Sequence, residues 1–309
     1  MLLKRRALAL FATLALASFV MAGCLPGSGR TFNGPDPARG IPFKGFGAWW
    51  DVWDWSPTFT KGSAPFGVGD VDRLAAAGVQ TLYIQTSTYR HPDDVLDSAL
   101  LKRIVARAHV RGMRVVGWYL PQFLDVGVDI RRMSAIAGLG MDGIGIDIES
   151  TDNPNVADRT DKLLAEVRFL RLLHPDVPMA AIPVTPVIWE QLNRSWWPNF
   201  PYRELSNYVD AWMPMAYWSY RRAGSFPEWG DPAHYVVESV TRLRVLTGRP
   251  NLPVHPIGGE GTNMSVDDAR AMAWAVAHSR SIGGSIYDDR TTPPSIYPTL
   301  AQMRREQVK

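Results

Sequence analysis

Met141-Asp142-Gly143-Ile144-Gly145-Ile146-Asp147-Ile148-Glu149-Ser150 is the stretch from which the fold can be read. Ile144, Ile146 and Ile148 alternate with Gly145, Asp147 and Glu149, the two-residue period of a β-strand. One face is β-branched and needs a packed partner. The other ends in two carboxylates, whose Cα atoms on a strand would lie about 6–7 Å apart. At that spacing each ionised group disfavours ionisation of the other. For an isolated D-x-E the plainer alternative is a helix cap at Asp147 and a solvated Glu149. What flanks the stretch favours a functional pair.

Working outward, the same strand pattern recurs at 43–50, 79–85, 113–120, 178–184, 208–215, 252–257 and 284–287. Helical patterns fall between them at 68–77, 93–110, 128–139, 156–173, 232–246 and 265–279, with a last one at 297–304. Eight strands alternating with helices predict a (β/α)₈ TIM barrel over residues 41–309, a length usual for that fold. A doubly wound open sheet is the alternative. It usually carries a glycine-rich phosphate turn after its first strand, and Gly45-Phe46-Gly47-Ala48-Trp49-Trp50-Asp51 lacks the G-x-G-x-x-G spacing.

A barrel places its chemistry at the carboxyl ends of its strands, because the loops there surround a ligand while the strands stay rigid. In chain order those ends offer Trp50, Asp51 and Asp54; Gln85; Trp118; Asp147 and Glu149; Thr185; Tyr217 and Trp218; His255 and then Glu260; and Tyr287 and Asp288. Flat rings suit the C–H faces of sugars, and carboxylates, amides and hydroxyls suit their hydroxyl groups. Among the 12 tryptophans, Trp50, Trp53, Trp55, Trp118 and Trp218 are candidates for stacking on a ligand. Trp189, Trp196, Trp197, Trp212 and Trp274 are expected in packing. Asp51 and Asp54 can be ligand contacts or loop caps, and a histidine such as His255 is more often a satisfied strand-end residue than a base.

The first residues read as an export signal. Lys4, Arg5 and Arg6 precede an uncharged, Leu- and Ala-rich run over 7–23. Ala22-Gly23-Cys24 resembles a bacterial lipobox, which would make Cys24 a lipidated mature N-terminus, attached to the membrane only through its lipid. Residues 24–40 then form a flexible tether. Residues 1–23 hold three of the 33 Lys and Arg and none of the 30 Asp and Glu, so the remaining chain carries 30 of each. That balance gives no electrostatic case for nucleic acid. One cysteine permits no intrachain disulfide, and six histidines with no H-E-x-x-H spacing predict no zinc. No metal and no cofactor is expected.

Asp142-Gly143-Ile144-Gly145-Ile146-Asp147-Ile148-Glu149 resembles the D-x-x-D-x-D-x-E fourth strand of the chitinase-like barrels, glycoside hydrolase family 18. Met215-Ala216-Tyr217-Trp218 is similar to that family's M-x-Y-D on strand six. The resemblance implies Glu149 as the acid that protonates the leaving oxygen. It also implies that Asp147 and Tyr217 hold a substrate 2-acetamido group, whose oxygen attacks the anomeric carbon. Gly145 and Trp218 each replace a family aspartate, and Tyr287 takes the place of a strand-eight tryptophan. The segments I-D-I-E-S, P-M-A-Y-W and G-G-S-I-Y-D also resemble a group of secreted bacterial glycoside-hydrolase-like barrels.

Three functions stay open on these residues. One is a glycoside hydrolase with Glu149 as acid/base. A second is a retaining variant with Glu260 as nucleophile, which requires carboxyls about 5–5.5 Å apart. The third is a glycan-binding lipoprotein that hydrolyses nothing.

Overall fold

The computed structural model describes residues 38–222 and 226–304. The expected export signal, the lipidation candidate Cys24 and most of the expected tether lie outside the described residues. Among those described, no helix is long and apolar enough to cross a membrane.

Nine parallel strands form one curled sheet. They are β1 (Gly45–Trp50), β2 (Thr81–Gln85), β3 (Arg114–Tyr119), β4 (Gly143–Ile148), β5 (Met179–Pro183), β6 (Ala211–Trp212), β7 (Met215–Ala216), β8 (Ile257–Gly258) and β9 (Gly283–Ile286). Neighbours in sequence pair in parallel, and β9 returns to β1 with Gly45 opposite Gly283. β6 and β7 are two halves of one strand, broken where Pro214 has no N–H to give. Bridges from Val184 to Met215 and from Trp212 to Val254 carry the pairing past the break from both sides. The nine segments therefore fill eight barrel positions.

The principal outer helices are α2 (Asp70–Ala76), α3 (Ser98–Val110), α4 (Val126–Ala137), α5 (Val156–Leu173), α7 (Pro232–Thr247) and α8 (Val266–His278). Short helices α1 (Val52–Trp55), α6 (Tyr202–Leu205) and α9 (Tyr297–Leu300) lie at its ends. Asp125, Asn155, Asp231 and Ser265 each accept a backbone N–H at a helix start, and Gly248 closes α7 at φ +71°.

Two elements differ from the sequence reading. The expected helix over 93–110 begins only at Ser98, because Asp97 is left-handed at φ +38° and spends its carboxylate on Ser56 and Thr58 of the first loop. The expected seventh strand at 252–257 shrinks to the Val254 bridge and β8, since Pro253 and Pro256 donate nothing to a ladder.

Alternation sorts the strand side chains between the two cores. Outward, Phe46, Ala48 and Trp50 share a buried cluster with Val71 and Leu74 of α2 and Met272 and Val276 of α8. Ile144, Ile146 and Ile148 do the same with Leu163 and Val167 of α5. Inward, the axis is filled by Trp49, Tyr83, His255 and Ser285. Trp49 stacks on Tyr83 with centroids 4.5 Å apart. At the closed end, His255 Nδ1 donates to the Phe43 carbonyl at 2.7 Å. Its Nε2 is then the acceptor for Ser285 Oγ at 2.9 Å, and that hydroxyl accepts Trp49 Nε1–H at 2.8 Å. Burial holds His255 down at about 3, so it stays neutral. His255 is thus an axial packing group, fully buried and not among the cleft-lining residues, a correction to its place among the rim candidates.

Beneath the β3–β4 edge, Glu166 of α5 is fully buried and both carboxyl oxygens lack an ordinary partner. Burial, then nearby Asp129, pushes it up to about 10. In the unfolded chain it ionises near 4.5. From about pH 4.5 to 10 folding must therefore retain a proton that the unfolded state releases, so stability is lost as pH rises through that window. Glu166→Gln should remove this slope, gaining up to about 4 kcal/mol on wild type between pH 5 and pH 8. Urea unfolding at the two pH values checks it; parallel wild-type and variant profiles would refute the assignment.

Candidate active site

At the carboxyl rim a cleft of about 270 Å³ opens over the axis. Its floor and near walls are Asp51, Gln85, Trp118, Asp147, Glu149, Met215, Tyr217 and Tyr287, and the β1 and β2 loops add Trp53, Phe59, Thr88, Tyr89 and Arg90. A larger hollow of about 580 Å³ lies at the opposite rim between α7 and α8, but it contains no carboxylate.

Asp147 and Glu149 sit where β4 leaves the sheet. Asp147 is the deeper, with Oδ1 buried and without a hydrogen bond. Burial and then the Glu149 charge hold its carboxyl well above the ordinary aspartate range. Glu149 is raised by burial. Burial lifts both carboxyls, so the two titrate as a coupled pair. Tyr217, on the loop after β7, feels both carboxylates and is kept firmly protonated by burial. Its ring lies 6.0 Å from Tyr287, whose hydroxyl donates to Asp51 Oδ2 at 3.1 Å.

The first loop is self-capped. Asp51 accepts from Trp53 N at 2.7 Å, and Asp54 accepts from Asp51 N at 3.0 Å, a reciprocal box around α1. This turn leaves Trp53 half exposed, edge-on to Phe59 at 4.4 Å. Opposite it, Tyr89 and Arg90 project from a braced β2–α3 loop. Ser87 Oγ bonds Asp93 O at 2.7 Å, and Arg132 reaches His91 O at 2.6 Å. Gln85 lines the cleft while its Oε1 accepts Val52 N at 3.1 Å.

Several candidates lie elsewhere. Trp50 is buried against α2 and α8, with Nε1 on Asp289 at 2.8 Å and its ring stacked on Phe66. Trp218 is buried outward beside Ala216 and Gly258, and Trp55 is buried with Nε1 on the Gln85 carbonyl. None of the three rings reaches the cleft, which corrects the rim assignment of Trp50 and Trp218. Asp54 is buried behind Asp51, raised to about 8 mainly by burial. Asp288 is buried too and caps the turn at Thr291. Glu260 begins a short turn, is bonded by Thr262 Oγ1, and is not among the cleft-lining groups.

Phe59, Thr88, Tyr89, Arg90 and Leu120 line the cleft without having been singled out from the sequence. For Tyr89 and Arg90 a signal existed. Pro92 follows them closely, which disfavours helix for His91 and keeps 86–92 a loop.

Gly145 has a steric reason. A Cβ there would stand 2.8 Å from Ile182 Cδ1 and 3.0 Å from Trp118 Cβ. Where the chitinase-like strand has its middle aspartate, this barrel is filled by its neighbours.

No family model and no curated protein matches the sequence. Solved structures do match in fold. The spore cortex-lytic enzyme SleL of Bacillus cereus superposes with TM-score 0.60 at 9% identity, over 85% of this chain and 75% of its own. A family 18 N-acetylglucosaminidase from Paenibacillus barengoltzii gives 0.54 at 8% identity, over 84% and 99%. A chitinase from Chromobacterium violaceum gives 0.52 at 8%, over 84% and 98%. The chain has the (β/α)₈ fold shared by these chitinase-like and related glycoside hydrolase barrels.

Proposed function

We propose that this protein is a glycoside hydrolase in which Glu149 protonates the leaving glycosidic oxygen. The observation that carries the reading is the pair of solvent-poor carboxyls, Asp147 and Glu149, on one strand face at the floor of an aromatic-walled cleft. A carboxyl that keeps its proton toward neutrality is what an acid catalyst needs. In this reading Asp147 and Tyr217, both of which feel the Glu149 charge, hold a polar substituent on the sugar's second carbon. The similar barrels include enzymes named for chitin, N-acetylglucosamine and spore cortex, so N-acetylated glycans are the first substrates to try.

A glycan-binding role without hydrolysis is the second reading, and Gly145, in place of a carboxylate on the same strand face, favours it. The test is release of reducing ends from a panel of N-acetylated and neutral polysaccharides, with binding measured in parallel. Trp53→Ala and Tyr89→Ala should each weaken glycan binding by about 1–3 kcal/mol, the scale of one stacked ring. If both variants fold and bind as wild type does, those rings are not the sugar platforms. Binding without any reducing-end release would transfer the assignment to the second reading.

A further inference from the structure

We propose that Asp51, Asp54 and Asp288 form a calcium-binding site beneath the rim of the cleft. Each residue offers one carboxylate oxygen, and these oxygens lie within 4.8 Å of one another. They come from the loops after β1 and β9, adjacent strands of the barrel, so the site would tie the first strand of the chain to the last. A single buried atom speaks for an absent partner. Asp54 is 1% exposed, and its Oδ1 is enclosed without a hydrogen bond. Arg290 Nη1 stands 4.0 Å from it, an ion pair at the limit of that contact, too long for a hydrogen bond and on a side chain 55% exposed. A buried carboxylate oxygen without a partner is costly, and a coordinated cation is one of the few ways to satisfy it.

The other oxygens show how the cluster is held. Asp51 Oδ1 accepts from Trp53 N and Oδ2 from Tyr287 Oη; Asp54 Oδ2 accepts from Asp51 N; Asp288 Oδ1 accepts from Thr291 N. Each carboxylate is oriented by the backbone or by a phenol, so the three are gathered before any ion arrives. An all-oxygen set selects a hard cation. Three oxygens gathered from separate loops within 4.8 Å of one another suit Ca²⁺, which takes six to eight oxygens in a flexible shell, better than Mg²⁺, which demands a near-ideal octahedron and keeps several waters. Three carboxylates leave part of a six- to eight-fold shell open. Asp51 also lines the cleft, so water or a sugar hydroxyl can complete the shell from that side. This inference does not depend on hydrolysis.

The experiment is calcium titration of the chelator-treated full chain by calorimetry, by thermal unfolding and by sensitised Tb³⁺ luminescence from the neighbouring aromatic rings. One Ca²⁺ per chain should bind, raise Tm and displace Tb³⁺, with Mg²⁺ at equal concentration failing to do so. Asp54→Asn and Asp288→Asn should each weaken Ca²⁺ by at least about tenfold, the expected scale for removing one charged ligand. The exposed Asp267→Asn should bind as wild type does. Two variants from different loops guard against loss of folding at either one. The proposal is overturned if about 10 mM Ca²⁺ leaves the wild-type Tm unchanged, or if both ligand variants bind Ca²⁺ normally. It is equally overturned if Asp54→Asn is the more stable protein and wild type ignores Ca²⁺, because the carboxyl is then simply protonated.

Discussion

Glu149→Gln is expected to lower glycan hydrolysis by about 10²–10⁴-fold while leaving the affinity for substrate nearly unchanged. Glutamine keeps the shape and a hydrogen-bond donor but has no proton to transfer. The loss should therefore appear in kcat, equivalent to about 3–5 kcal/mol of transition-state stabilisation. The wild-type pH profile gives a second readout. Asp147 and Glu149 are both held above the ordinary carboxylate range by burial, and Asp147 further by its neighbour. Activity should fall as pH rises through the upper apparent pKa of the pair, where its last proton leaves. Glu149→Gln should lack that limb. Its residual rate with an activated leaving group, which needs no protonation, should be reduced far less. Equal turnover by wild type and Glu149→Gln on any cleaved glycan would end the assignment.

Gly145→Asp is expected to cost several kcal/mol and to leave a protein that unfolds at much lower urea. This change writes the family's middle aspartate back into the strand, so an argument from the motif alone would predict gain of function. Space predicts the opposite. The new Cβ would meet Ile182 Cδ1 at 2.8 Å and Trp118 Cβ at 3.0 Å. Overpacking of that kind costs about 1–3 kcal/mol. An unpaired carboxylate would also be brought beside Asp147, which is already short of solvent, adding about 1–3 kcal/mol. Adding Ile182→Val removes the closer of the two contacting atoms and should recover part of the loss. If Gly145→Asp unfolds at the wild-type urea midpoint, the barrel is looser here than its packing indicates.

How much of this was legible beforehand depended on whether a residue's role follows from its place along the strand or from its neighbours in space. The eight-fold alternation and the position of Asp147 and Glu149 belong to the first kind. So, in principle, did the side-chain parity of β1. Trp49 and Asp51 share a face, and Trp50 must point the other way. The same alternation separates Tyr217 from Trp218. Selecting tryptophans by residue type rather than by parity placed Trp50 and Trp218 on the rim, whereas both are buried toward the helices. The break at Pro214 and the shortened β8 could be anticipated only in part. Prolines show that a ladder bond is missing, but not where the bridges resume. Gly145 belongs wholly to the second kind, because its necessity comes from Ile182 and Trp118 on the two adjacent strands. Asp97 does too. Its left-handed backbone and its bonds to Ser56 and Thr58 depend on a loop 39 to 41 residues earlier in the chain.

The hydrogen-bonded file along the axis, from the Phe43 carbonyl through His255 and Ser285 to Trp49, divides the barrel's inheritance. Trp49 takes its orientation from the closed end, through donors and acceptors that each have one possible direction. The mouth groups Trp53, Tyr89 and Arg90 hang on loops held by bonds of their own and by Arg132 of α4. Those loops can therefore be exchanged without disturbing the axial file. A change at His255 or Ser285 would instead be felt at Trp49, 236 residues from Ser285 along the chain.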